Sequence, residues 1–204
     1  KSIGEFAFNE CSQLENITFP DTLTDIGEYA FAGCSSLEIN ALPENVTVYN
    51  KGVFENCKAL TVSEIPEGVT QIYSDAFSNC LFKDEITLPV TIQRAAGLNG
   101  VKKLILKEGV TELTHDIFAG CDKLTEVVLP ESLTKIGNRV FEGCNSLKEI
   151  TIPKNVNECP GAMATWGPAF EFSSIETVTF EEGTEKVHNA LFANCGSLKQ
   201  INLP

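Results

Sequence analysis

The chain has 204 residues, 43% hydrophobic and 21% charged, a length and balance suited to one soluble unit with a continuous core. Twenty-eight acidic residues against fifteen basic ones give a net charge of −13. Nucleic acid, which needs a lysine and arginine stripe over its phosphates, and an anionic membrane surface are therefore disfavoured as partners. No stretch reaches the roughly 18 apolar residues of a spanning helix, so no membrane insertion is expected, and Lys1-Ser2-Ile3-Gly4 does not read as a signal sequence.

Read in chain order, the sequence repeats. Cys11, Cys34, Cys57 and Cys80 are 23 residues apart, and Cys121 and Cys144 repeat the step. A phenylalanine stands three positions before each: Phe8, Phe31, Phe54, Phe77, Phe118 and Phe141, with Phe192 before Cys195. Leucine follows three after the cysteine in most units (Leu14, Leu37, Leu60, Leu124, Leu147, Leu198), and a second apolar residue eight after it. Proline closes the stretch at nine after: Pro20, Pro43, Pro66, Pro89, Pro130, Pro153 and Pro204. Two units are disguised. Val101, Leu104 and Leu106 keep the leucine and strand positions behind a segment without Phe or Cys. Ile175, Val178 and Phe180 do the same behind an insertion of about five residues near Ala162 to Ala169, also read as lacking Phe and Cys.

Such a period predicts stacked coils. Ile17-Thr18-Phe19 and Ile150-Thr151-Ile152 alternate as a strand with one buried face must. One short strand cannot bury that face alone, whereas stacked coils supply a parallel sheet and a shared interior. Proline ends each strand because it has no N–H to continue the ladder. Leu-Thr-x-Ile, as in Leu133 to Ile136, then returns along the opposite side, and Ala-Phe-x-x-Cys is expected to close the coil as a single helical turn.

The pattern resembles the BspA-like, or Treponema pallidum-type, class of leucine-rich repeats. The likeness rests on Ile26-Gly27-Glu28-Tyr29-Ala30-Phe31-Ala32-Gly33-Cys34-Ser35-Ser36-Leu37 and on the matching stretch from Ile136 to Leu147. It covers essentially the whole chain. It implies an α/β solenoid: a right-handed leucine-rich-repeat superhelix with a parallel sheet on one face and about nine 23-residue repeats, roughly 40 Å along the stack at the usual strand spacing. Residues 1–204 would form one domain, irregular near 90–112 and 154–174. Because the chain starts within a unit and stops at a strand's proline, it is expected to belong to a longer protein. The resemblance also implies a cell-surface or secreted location, adhesion, and binding of host or microbial macromolecules, with no catalytic residues to carry over.

The chemistry-bearing residues support no enzyme. Zinc ligands come as close pairs, and no Cys-x-x-Cys exists here. Seven cysteines share one repeat position and should stack along the interior, about 4.8 Å apart against the ~3.8 Å of disulfide Cβ atoms. They are expected to be reduced, buried and hydrophobic in role, and Cys159, at the position of Ile26 and Ile136, to join the core. His115 and His188 follow the returning apolar position of their units and read as surface turn residues. No phosphate-cradling glycine loop and no His-Glu-x-x-His occurs, so neither a cofactor nor a metal is expected.

Binding is the remaining reading. Outward strand positions, five and seven after each cysteine, select Glu85, Thr87, Glu126, Val128, Glu149, Thr151, Thr177, Thr179, Gln200 and Asn202 as one polar face. Trp166, in the loop from Cys159 to Pro168, is an interface anchor or a lid over the gap left by the missing Phe and Cys. Arg94, Lys102, Lys103 and Lys107 form the one basic concentration. Asn16-Ile17-Thr18 and Asn45-Val46-Thr47 match the glycosylation sequon. The expected function is a non-enzymatic module binding protein or carbohydrate. A structural spacer and an intracellular interaction scaffold are the alternatives.

Overall fold

In a computed structural model the described residues are 1–82, 85–159, 167–188 and 190–204. They fall into two compact units, Lys1–Val101 and Lys102–Pro204.

Unit 1 holds β1 (Ser2–Ile3), β2 (Asp25–Ile26), β3 (Val48–Tyr49), β4 (Gln71–Ile72), β5 (Glu85–Leu88) and β6 (Arg94–Ala95). All the short strands except β5 are the returning Leu-Thr-x-Ile segments, which the alternation argument placed on the far side without assigning them a ladder. β1 pairs with β2, and β4 with β3 on one side and β6 on the other, all parallel, with Ile3 opposite Ile26 and Ile72 opposite Ala95. Each pair is 23 residues apart, so the sequence period is the ladder register. The Ile-Gly signature has a steric cause: a Cβ on Gly27 would meet the Glu5 backbone nitrogen at 2.5 Å, and one on Gly137 would meet the Leu113 carbonyl oxygen at 2.8 Å. At these two glycines the preceding coil passes too closely for a side chain.

Unit 2 holds β7 (Lys103–Leu106), β8 (Glu112–Leu113), β9 (Glu126–Val128), β10 (Lys135–Ile136), β11 (Glu149–Ile152), β12 (Thr177–Phe180) and β13 (Gln200–Asn202). β8 pairs with β10 on the return side, β7 with β9 on the repeat face, and β12 with β11 on one side and β13 on the other, all parallel. The parallel repeat architecture is thus present in both units, distributed over several short ladders.

Two expectations are corrected. The first is the helical turn: among the described residues there is no helix. The Ala-Phe-x-x-Cys segment carries a left-handed residue five before and another one before the cysteine, as at Asp75 (φ 60°) and Asn79 (φ 58°), or Arg139 (φ 52°) and Gly143 (φ 69°). Left-handed φ breaks any helix and favours Asn, Asp and Gly, which supply most of these positions. The reward is a further intercoil ladder: the amides of Tyr29, Phe31 and Gly33 donate to the carbonyls of Lys51, Val53 and Glu55 at 2.8–3.0 Å. The second concerns Ile17-Thr18-Phe19, which is not a strand. In the next two coils the inward residues are Ile39 and Leu42, then Val62 and Ile65, spaced by three instead of two. Period-2 alternation is lost there, and Ile17 to Phe19 have no regular neighbour to pair with.

Each unit has a stack of rings in its interior. Phe31, Phe54 and Phe77 lie at centroid spacings of 5.4 and 5.6 Å, and Phe118, Phe141, Phe170 and Phe192 at 5.6, 4.9 and 4.7 Å. These are favourable aromatic distances. Phe170 corrects the reading of its unit: it fills the phenylalanine place, and Ser173 fills the cysteine place, with its Oγ 3.9 Å from Cys195 Sγ. No aromatic gap exists there for Trp166 to cover. Beside the rings runs a thiol ladder, in which Cys34, Cys57, Cys80, Cys144 and Cys195 donate to the carbonyls of Phe8, Phe31, Phe54, Phe118 and Phe170 at 3.0–3.4 Å.

Candidate ligand-binding face

The repeat face of unit 2 is built by the ladders. Register sets Glu149, Thr177 and Gln200 side by side, then Thr151, Thr179 and Asn202. Lys103 stands opposite Glu126, and Ile105 opposite Val128. Because inward neighbours such as Ile150 and Val178 take the core, the outward residues project together. Glu126, Val128, Glu149, Thr151, Thr177 and Thr179 line one shallow cavity of about 360 Å³, with Glu181 at its rim. Val128, 40% exposed, is its apolar patch. The rim is prearranged: Asn202 Nδ2 donates to Thr179 Oγ1 at 3.0 Å, and Lys103 Nζ lies 3.1 Å from Glu126 Oε1. Carboxylates and hydroxyls can exchange hydrogen bonds with a polar ligand, and one valine offers it an apolar contact.

Glu85 and Thr87 face outward in the same way on β5 of unit 1. Trp166 lies outside the described residues. Arg94 sits over the Tyr73 ring at 5.1 Å, a local cation–π contact, and Lys103 is engaged with Glu126, so these two cations are held locally. His115 is exposed, as expected, and its Nδ1 accepts from the Asn138 amide at 2.9 Å, which ties it into the fold. Of the sequons, Asn16 is exposed, whereas Asn45 Nδ2 donates to the Asp21 carbonyl and so holds two coils together.

The cysteines are all free thiols. Burial pushes Cys80 and Cys144 up to about 12 and Cys159 up to about 11, and raises Cys57 and Cys121 as well. Cys11 departs from the expectation: a thiol of this ladder is covered by the coil before it, and Cys11, in the first coil, is exposed. Cys195 is half-buried. Among the described residues no group of three or more His, Cys, Asp or Glu could hold a metal ion.

Sequence reasoning missed a second concave region, on unit 1. A cavity of about 540 Å³ lies beside the irregular segments, lined by Asn40, Asn45, Ser63, Glu64 and Glu67 among others. The signal was present: Ile39 and Val62 stand five after their cysteines, where other units place the inward residue at six.

The comparisons agree with this architecture. The BspA-type leucine-rich repeat model, in six copies, matches residues 1–98 and 96–204. The chain belongs to that family of repeat proteins. A leucine-rich repeat protein from Bacteroides ovatus is 25% identical over the whole chain, with a TM-score of 0.50. The chain spans 64% of that protein's length. The leucine-rich repeat protein of Treponema pallidum is 27% identical over 72% of this chain and 71% of that one, with a TM-score of 0.52. No curated protein matches the sequence.

Proposed function

We propose that the chain is a non-enzymatic binding module of a microbial cell-surface or secreted protein, a right-handed superhelix of about nine coils in one domain. It takes a protein or carbohydrate ligand on its repeat face. The observation that carries this reading is the cavity lined by Glu126, Val128, Glu149, Thr151, Thr177 and Thr179, six outward residues with no core demand on them. Binding modules of repeat proteins use such continuous surfaces. Glu85 and Thr87 are the corresponding positions of β5, and Trp166 is the aromatic anchor of the inserted loop. The polar lining favours a glycan or a polar protein surface. Among the described residues no helix is long and apolar enough to cross a membrane.

The test is a screen of the chain against extracellular-matrix proteins, mucins and glycans, followed by Glu126→Lys with Glu149→Lys, and separately Trp166→Ala. At least one variant should weaken the ligand found by about fivefold or more, the 1 kcal/mol that separates contributing residues from bystanders. Unchanged affinity in both would move the site off this face and leave the spacer reading ahead.

A further inference from the structure

The return side of unit 2 keeps its pattern as far as residue 158 and loses it beyond 181. In the regular coil Leu133 and Ile136 are fully buried. The following coil is tied on by the Asn157 and Glu158 amides, which both donate to the Thr134 carbonyl. Coil 181–188 keeps the opening turn, with the Thr184 amide donating to the Glu181 carbonyl at 3.1 Å. It then places Thr184 where leucine stands, Val187 where isoleucine stands, and His188 where glycine stands. Val187 is 46% exposed. Among the described residues no backbone hydrogen bond ties 185–187 to 157–159. A cavity of about 600 Å³ runs across this coil and the two before it, with Glu131, Ser132, Lys154, Asn157, Glu185, Lys186 and His188 in its wall. That volume suits a small ligand.

We propose that this cavity is a binding site for a carboxylate-bearing saccharide, a sialic or uronic acid unit. Lys154, Lys186 and His188 bring nitrogen donors from two coils to the wall of one cavity, in a chain whose net charge is −13. An anion among them gains charge-assisted hydrogen bonds. A bare anion is the poorer fit: two carboxylates, Glu131 and Glu185, share the wall, and Lys154 Nζ lies 3.5 Å from Glu131 Oε2. The remaining lining is what ring hydroxyls use, since Ser132, Asn157 and Glu185 offer donors and acceptors around the same space. Burial and the neighbouring Lys186 both hold the His188 imidazole below its ordinary range, and a bound carboxylate reverses the second influence. The site is separate from the repeat face and does not depend on its function.

The chain has only two histidines, so their imidazole resonances report on it directly. The full chain is titrated with N-acetylneuraminic acid and glucuronic acid, and in parallel with glucose, N-acetylglucosamine and acetate. The His188 signals should move saturably with the acidic sugars while those of His115 stay still. Neutral sugars and acetate should bind about tenfold more weakly or worse. Lys186→Ala and Asn157→Ala should each raise Kd at least about fivefold, and Lys58→Ala, at an exposed lysine of unit 1, should leave it unchanged. Four results would each overturn the proposal: no saturable shift at His188; equal binding of acetate; equal binding of neutral sugars; or unchanged affinity in Lys186→Ala with its circular dichroism intact.

Discussion

Two units carry the same repeat and differ in what they do with its face. Residues 1–101 hold fourteen acidic and five basic side chains, and residues 102–204 hold fourteen and ten. In unit 2 the extra cations sit one coil from carboxylates: Lys135 lies 2.8 Å from Glu112, and Arg139 lies 2.8 Å from Asp116, with Glu142 of its own coil at 3.2 Å. Its outward face is a run of laddered strands. In unit 1 the corresponding segments from Ile17 to Leu42 are unladdered, and β5 is joined to the coil before it by the bridge between Glu64 and Thr87. The difference teaches that the stacked phenylalanines and the 23-residue step, common to both units, hold the coils together. The sheet face is free to vary once they are in place.

That comparison can be broken most directly in the interior. If one packing logic serves both units, Phe54→Ala and Phe141→Ala should each cost about 3–5 kcal/mol in chemical denaturation, the usual range for deleting a buried ring. A cost below about 1 kcal/mol at either position would show that the rings are not what the units share.

The thiols test the same point with a smaller perturbation. Cys57 Sγ donates to the Phe31 carbonyl at 3.1 Å, so Cys57→Ala should cost about 1–3 kcal/mol through the lost donor and the space left. Cys57→Ser should recover part of this, since a hydroxyl there can still donate to the Phe31 carbonyl. The alkaline limb is also set by these groups. Folded Cys80 and Cys144 ionise near 12 against an ordinary 9.0, so the unfolded chain releases protons first as pH rises. Their stabilisation is complete below pH 9 and is lost progressively between about 9 and 12. A melting temperature that holds steady from pH 8.5 to 11.5 would contradict their burial. Thiol labelling at neutral pH should reach Cys11 first.

Register can be tested by exchange. Swapping the pair, Ile39→Asn with Asn40→Ile, moves the inward residue from five to six after Cys34, as in the laddered units. Amide hydrogen exchange at Ala41 and Leu42 should slow about tenfold, a local stabilisation of about 1.4 kcal/mol. Faster exchange would mean that the irregular segment is held by something other than its spacing. The smallest effect belongs to the surface. Glu126 is 57% exposed in its pair with Lys103, so Glu126→Lys should change stability by less than about 1 kcal/mol. This makes the variant a fair probe of binding.

Much of this is legible in the amino-acid sequence. The 23-residue step fixed the register, since Ser2 opposite Asp25 and Val48 opposite Gln71 are the same position one unit apart. Alternation in Glu149 to Ile152 and Thr177 to Phe180 identified which side chains share the outward face. Three things were not readable. The left-handed residues that replace a helical turn arise because the coil must close within a fixed length, a constraint on the whole coil that Ala-Phe-x-x-Cys does not reveal. Phe170 and Ser173 were hidden by a spacing of 22 instead of 23 before Cys195. The return-side cavity required knowing that Val187 swings outward, which an apolar residue in an apolar position does not suggest.

By itself, then, the sequence determined the repeat, its register and the alternation of each strand, because all three are periodic and a period survives without coordinates. Only the tertiary structure decided where that period fails to produce a ladder. Pairing needs two neighbours in step, so Ile17 to Phe19 lose their strand through a shift at Ile39, and the coil from Glu181 to His188 leaves a cavity against the one that begins at Lys154.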